Sequence, residues 1–198
     1  MECSLFNGQS KSNNISLFNT LESIKKSRIN DVTVRVAISP NPLDKDPYFL
    51  LIRRAGLHSE SGTYEFPGGK NKKGENIVVT AFREAQKETG ITLDNLTEII
   101  ESTEVKKYSH YHNKIIPIKV VLLRGNVFGN FNNYNIKLNT GEHDNYRIIR
   151  LSDVEKLPLS SETSSLVTNI KKTFKTNSYC GICDNYLLEN FYNCLKRK

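Results

Sequence analysis

Residues 83–90 read REAQKETG, with Glu84 and Glu88 four positions apart. On a helix turning about 100° per residue, that spacing sets the two carboxylates side by side. Such a pair can do two kinds of chemistry. It can hold a hard divalent cation, which prefers oxygen ligands. Or the two groups repel until one keeps a proton and can act as an acid or base. Lys87 stands directly before the second glutamate, a cation where a ligand could have been. Solvated helices also carry Glu and Lys at these spacings, each pair contributing about 0.2–0.5 kcal/mol. The helix alone therefore leaves both readings open.

Those side chains need a helix and a surface for it to pack on. Residues 76–89 read as that helix. Ile77, Val78, Ala81, Phe82 and Ala85 fall in one apolar stripe, and Glu84 and Glu88 lie on its edge. Arg83 and Lys87 fall toward the polar side. Glu75 puts negative charge at the start, where the helix dipole favours it. Gly90 ends the pattern as a C′ glycine does.

Around the helix the chain alternates as strands do. DVTVRVAIS (31–39) reads as a half-buried strand and YFLLIRR (48–54) as a deeper one, joined by the turn-rich 41–47. A long Gly-rich loop follows over 55–76, broken by a short extended piece at 64–66; loops of that length are usually functional. After the helix, 99–109 and 114–127 read as a hairpin pair with a turn near Tyr111–Asn113, and 146–152 as another strand. A short helix over 152–157 and an amphipathic one over 160–175 complete the order. Strands on both sides of a central helix, some paired as hairpins, give an α+β class rather than strict βαβ alternation.

The stretch from Gly69 to Ile91, GKNKKGENIVVTAFREAQKETGI, resembles the Nudix box. Gly69, Glu75, Arg83, Glu84, Ala85, Glu88, Gly90 and Ile91 match its residue types and both of its gaps. The EFPGGK run over 65–70 looks like the loop before the box in nucleotide-cleaning members of that family. The resemblance implies a Nudix-type α/β/α sandwich with a mixed central sheet. It implies hydrolysis of a nucleoside diphosphate linked to another moiety, most often a nucleoside triphosphate or modified nucleotide, by metal-assisted water attack with Mg2+ or Mn2+.

For the site, the resemblance implies Glu84 as ligand or base and Glu88 as ligand. The Gly69 carbonyl is a candidate ligand because glycine lets the chain approach closely. Glu75 and Arg83 brace the loop against the helix. GEHDNYRIIRLSDVEKLPL (141–159) is similar to a late segment of the family in which a Glu-His pair precedes a strand. Glu142 is therefore a candidate fourth ligand or alternative base, and His143 a structural or substrate-facing residue. Lys87 replaces the first of two adjacent box glutamates, and no metal role carries over to it. It can turn to water, pair with Glu84 or Glu88 and compete with metal, or reach a substrate phosphate. The helical geometry favours water. The alternative function is a weakly active or non-catalytic Nudix-fold module that binds a nucleotide or RNA.

Composition narrows the setting. The chain has 198 residues and a formal net charge of +7, which attracts polyanions such as nucleotides. Its basic residues are spread along the chain, so no single nucleic-acid stripe emerges. No apolar run is long enough to span a bilayer, and the start lacks a secretory signal pattern. Four cysteines without such a signal point to reduced thiols and a cytoplasmic or nuclear setting. The length suits an N-terminal flexible arm over 1–30, one domain over 31–176 and a C-terminal helical extension over 177–198. Cys180, Cys183 and Cys194 lack a local fourth zinc ligand, with Cys3 remote, and Cys183, Leu187, Phe191 and Cys194 or Leu195 read better as the apolar face of a C-terminal helix. His110 and His112 read as a polar strand end. There is no Walker-type phosphate loop and no nucleophile elbow.

Overall fold

The structure, a computed structural model, describes residues 32–40, 44, 46–56, 60–109 and 113–176. The arm over 1–30, the extension over 177–198, the four cysteines, His110 and His112 lie outside the described residues. The order is β1 (Val32–Ser39), β2 (Tyr48–Arg54), β3 (Tyr64–Glu65), β4 (Gly68–Lys70), α1 (Ile77–Thr89), β5 (Asn95–Ser109), β6 (Lys114–Asn126), β7 (His143–Arg150) and α2 (Ser161–Thr176). Short 3-10 turns occur at Phe131–Asn133 and Val154–Lys156.

Two sheets form the middle layer. One runs β4-β1-β6-β5 and is mixed, with β1 parallel to β6 and antiparallel to β4; the other runs β3-β2-β7 and is antiparallel. The β5–β6 hairpin expected from the alternation is present and antiparallel. Because successive side chains of a strand point to opposite faces, β1 and β6 serve two cores at once. Val34, Val36 and Ile38 pack with Val121 and Leu123 against Ile77, Ala81 and Ala85 of α1. Ala37 packs with Val120 and Leu122 against Leu166, Val167 and Ile170 of α2. A helix therefore covers each face, which is the α+β sandwich expected.

Three boundaries moved. The EFPGGK run splits into β3 and β4, because β2 pairs with Tyr64 and Glu65 while β1 pairs with residues 68–70. β5 begins at Asn95 and β7 at His143, several residues earlier than their apolar alternation. In both cases partner-strand backbone continues the ladder past the patterned residues. The short helix near 152–157 is a single 3-10 turn. Among the described residues, no helix is long and apolar enough to cross a membrane.

Candidate functional site

α1 is set at both ends by local chemistry. The Asn76 side chain accepts from Val78 N at 2.9 Å, satisfying one of the unpaired first-turn N–H groups. Gly90 adopts φ 70°, a left-handed conformation that favours glycine, and its N–H closes on Gln86 O at 3.0 Å. Between these caps Glu84 and Glu88 are buried, at 6% and 4% exposure. They were expected at the edge of the apolar stripe; strand β4 lies across that edge and covers them. Gly68 N donates to Glu88 Oε2 at 2.8 Å. A Cβ at Gly69 would stand 2.7 Å from both Cδ and Oε1 of Glu84, so only glycine lets the loop come this close.

Glu75 and Arg83 tie the loop to the helix. Arg83 Nε and Nη2 donate to the two Glu75 oxygens, each at 2.8 Å, in the forked geometry favoured by guanidinium and carboxylate. Hydrogen bonds from Arg83, then from Thr80 Oγ1 and Lys72 N, hold the Glu75 carboxyl down at about 2 against desolvation. Asn71 Nδ2 donates to Thr80 Oγ1 at 2.6 Å, fixing the hydroxyl that serves Glu75. Arg83 Nη1 also donates to Glu84 Oε1, so one guanidinium joins the bracing carboxylate to a site carboxylate.

Behind the glutamates sits a buried charge cluster. Arg35, on β1 and 5% exposed, donates to Glu162 Oε1 at 2.5 Å, Glu65 Oε2 at 3.0 Å and Phe66 O at 3.0 Å. Burial alone would raise the Glu65 carboxyl, but Arg35, a hydrogen bond from His143 and Arg54 outweigh it and hold it at about 2. Burial is likewise the largest influence on Glu88. There it wins over the Gly68 N–H and the nearby cationic groups, and the carboxyl is pushed up to about 7. Arg35, Glu65, Arg54 and Glu162 escaped the sequence reading. The one available signal was a charge, Arg35, in the middle of the otherwise apolar VTVRVAIS run.

The late loop reaches the site through the end of α1. The last turn of a helix leaves carbonyls without partners. Asn139 N donates to Glu88 O at 3.3 Å and Lys137 N to Thr89 O at 2.8 Å. That docking carries Glu142 and His143 over Glu88. One ligand atom from each of Glu88, Glu142 and His143 lies within 4.8 Å of the others. His143 is 3% exposed; its Nε2 is 3.4 Å from Glu65 Oε1, and its buried Nδ1 has no hydrogen-bond partner. His143, expected as a structural or substrate-facing residue, thus pairs through one ring nitrogen with Glu65.

Lys87 does not simply face water. Its Nζ lies 3.0 Å from both Glu142 oxygens and 3.7 Å from Glu84 Oε2. The wheel placed its Cα correctly on the outer side, and the side chain remains 45% exposed. A wheel cannot include the loop that the helix end recruits, and the flexible stem bends toward the carboxylate that loop supplies. These groups open on a cavity of about 330 Å³, whose wall also includes Arg54 and Lys70. The arrangement combines sheltered oxygen ligands, a ring nitrogen and cationic groups around one solvent-connected space. It can hold a hard cation and receive an anionic ligand.

A family profile described as "NUDIX domain" matches residues 31–169. No curated protein matches the chain significantly. Solved structures match along most of its length. The MutT protein of Methanosarcina mazei Go1 is 21% identical with a TM-score of 0.57, covering 72% of this chain and 93% of that one. The NUDIX domain of Shewanella oneidensis NrtR, complexed with ADP ribose, is 16% identical with a TM-score of 0.55, covering 75% and 89%. A C. elegans Ap4A hydrolase is 22% identical with a TM-score of 0.53, covering 74% and 98%.

Proposed function

The chain belongs to the NUDIX domain family, and on that footing we propose that it is a metal-dependent pyrophosphohydrolase of a nucleoside diphosphate linked to another moiety, with nucleoside triphosphates as the leading class. The observation that carries this is the convergence of buried Glu84 and Glu88 with Glu142 and His143 on one cavity. Two of the similar structures are described with ADP ribose bound and as an Ap4A hydrolase. Both compounds join adenosine through phosphoanhydride bonds. The EFPGGK run favours triphosphates within that class.

The residues present suit Mg2+ or Mn2+. The carboxylates are the hard oxygen donors that both ions prefer, and a ring nitrogen of His143 stands in the same cluster. Glu84, Glu88 and Glu142, with the Gly69 carbonyl, are the proposed ligands. When bound, the ion neutralises phosphate oxygens and lowers the pKa of water. The chain's own residues do the rest. Arg54 and Lys70 on the cavity wall receive the anionic phosphates. Arg83 orients Glu84, and Gly68 N–H orients Glu88. Water adds to phosphorus, the anhydride P–O bond breaks, and the proton from water passes to Glu84 or Glu142.

Incubating the protein with nucleoside triphosphates, dinucleoside polyphosphates and nucleotide sugars, with Mg2+ or Mn2+, tests the reading. The expected result is metal-dependent release of a nucleoside monophosphate with pyrophosphate or the linked phosphate moiety. The Lys87–Glu142 pair favours a second reading, a nucleotide- or RNA-binding module. That reading takes over if nucleotides bind without any such release.

Two further outcomes are expected. Burial pushes the Glu88 carboxyl up to about 7, and a metal binds its anion, so loading below that pH should release up to one proton. Mn2+ affinity should rise by up to about tenfold per pH unit below 7 and flatten above it. Calorimetry in buffers of different protonation enthalpy measures this, and Glu88→Gln should remove the slope. For Gly69→Ala, the new methyl meets the far end of a flexible side chain, the Glu84 carboxylate. Stability should change by less than about 1 kcal/mol, while Mn2+ affinity falls at least about tenfold. Retained affinity would mean that Glu84 need not stand where Gly69 leaves room.

A further inference from the structure

We infer that the Lys87 ammonium takes the place of one divalent cation, so that this site binds a single metal ion where its carboxylates would otherwise gather more. The inference rests on the metal-site reading above. Lys87 Nζ is shared between both oxygens of Glu142, at 3.0 Å each, and Glu84 Oε2 at 3.7 Å. It therefore bridges the helix carboxylate and the loop carboxylate, a position from which an ion would have to compete with it. The other oxygen of Glu84 already accepts from Arg83.

Charge balance leads to the same result. Arg83 is offset by its forked partner Glu75. Arg35 and Arg54 are offset by Glu65 and Glu162. Three carboxylates remain on the cavity, Glu84, Glu88 and Glu142. The ammonium among them cancels one of their three formal charges and Lys70 on the wall reduces the rest, so one divalent ion already meets the balance. A second ion would bring its full charge close to the ammonium that Glu142 and Glu84 hold. Glu88, Glu142 and His143 place three ligand atoms within 4.8 Å of one another, so His143 joins two of the proposed carboxylates in seating the one ion. Lys87 also tethers the Glu142 loop before the metal arrives, because it reaches from the helix to a carboxylate 55 positions later.

Mn2+ alone is the probe, with bound and free ion counted by electron paramagnetic resonance. The full chain is compared with Lys87→Met and Lys87→Glu. Wild type should bind one Mn2+ per chain. Lys87→Met should bind it at least about tenfold more tightly, because a like charge near the ligands is gone. Lys87→Glu should bind two, with the spin–spin broadening of a close Mn2+ pair. Lys87 is half-exposed and lies outside both cores, so circular dichroism should be unchanged in both variants. Two ions on the wild type would overturn the inference and leave the proposed function standing. So would a Lys87→Met variant of unchanged affinity, or a Lys87→Glu variant that folds and binds one. No ion on any of the three proteins would overturn the metal-site reading itself, and this inference with it.

Discussion

Glu88→Gln should lower the proposed metal-dependent turnover by at least about a hundredfold and leave the fold intact. Residues that merely orient a metal ligand cost about 10–100-fold when replaced, and Glu88 is proposed as a ligand itself. The substitution keeps size and shape. Its amide oxygen can still accept from Gly68 N, so the contact that seats β4 on α1 survives. It resembles the protonated glutamate that burial already favours near neutral pH, so unfolding midpoints should match the wild type. What disappears is the anion. Turnover, Mn2+ binding and thermal unfolding measured on the same preparation separate these effects. Unchanged turnover in Glu88→Gln and in Glu84→Gln together would sink the assignment of this cavity as the catalytic centre.

Arg35→Met should destabilise the protein by about 3–5 kcal/mol, the cost of removing one side of a buried charge cluster. Arg35 is 5% exposed and lies against two carboxylates that are 3% and 4% exposed. Removing it takes from Glu162 and Glu65 the guanidinium they share, while Glu65 keeps Arg54 and His143. The same guanidinium donates to Phe66 O at 3.0 Å and Gly68 O at 3.5 Å, so it also fixes the loop whose Gly68 N–H holds Glu88. Urea unfolding gives the loss. Adding Glu162→Gln should recover part of it, since the double variant removes both members of the closest pair. A loss below about 1 kcal/mol would show that water reaches the cluster and screens it.

These two residues mark different degrees of legibility. Glu88 was readable because helix geometry is local. Four positions set it beside Glu84, and the apolar stripe, the cap region and Gly90 set the helix. The two-faced burial of β1 and β6 was partly readable as apolar alternation. Arg35 was visible only as an oddity within a strand, because its partners lie 30 and 127 positions away. Glu142 and His143 were singled out through a family resemblance, since nothing in GEHDNY itself says which surface it will meet. Lys87 shows the limit most sharply. Its outward Cα followed from the wheel, while its partner came from a loop the wheel does not contain.

The sequence by itself determined the α1 helix, its paired glutamates and the hairpin that supports one edge of the sheet. Each follows from the period of the chain or from contacts between near neighbours, and such interactions need no knowledge of the rest of the fold. The tertiary structure alone decided the environment of those groups. It placed β4 over the glutamates and raised Glu88 by burial. It docked the late loop on the carbonyls at the end of α1, and so turned Lys87 toward Glu142. Desolvation and charge pairing depend on which distant segments close over a residue, and that is settled only when the sheets and helices pack.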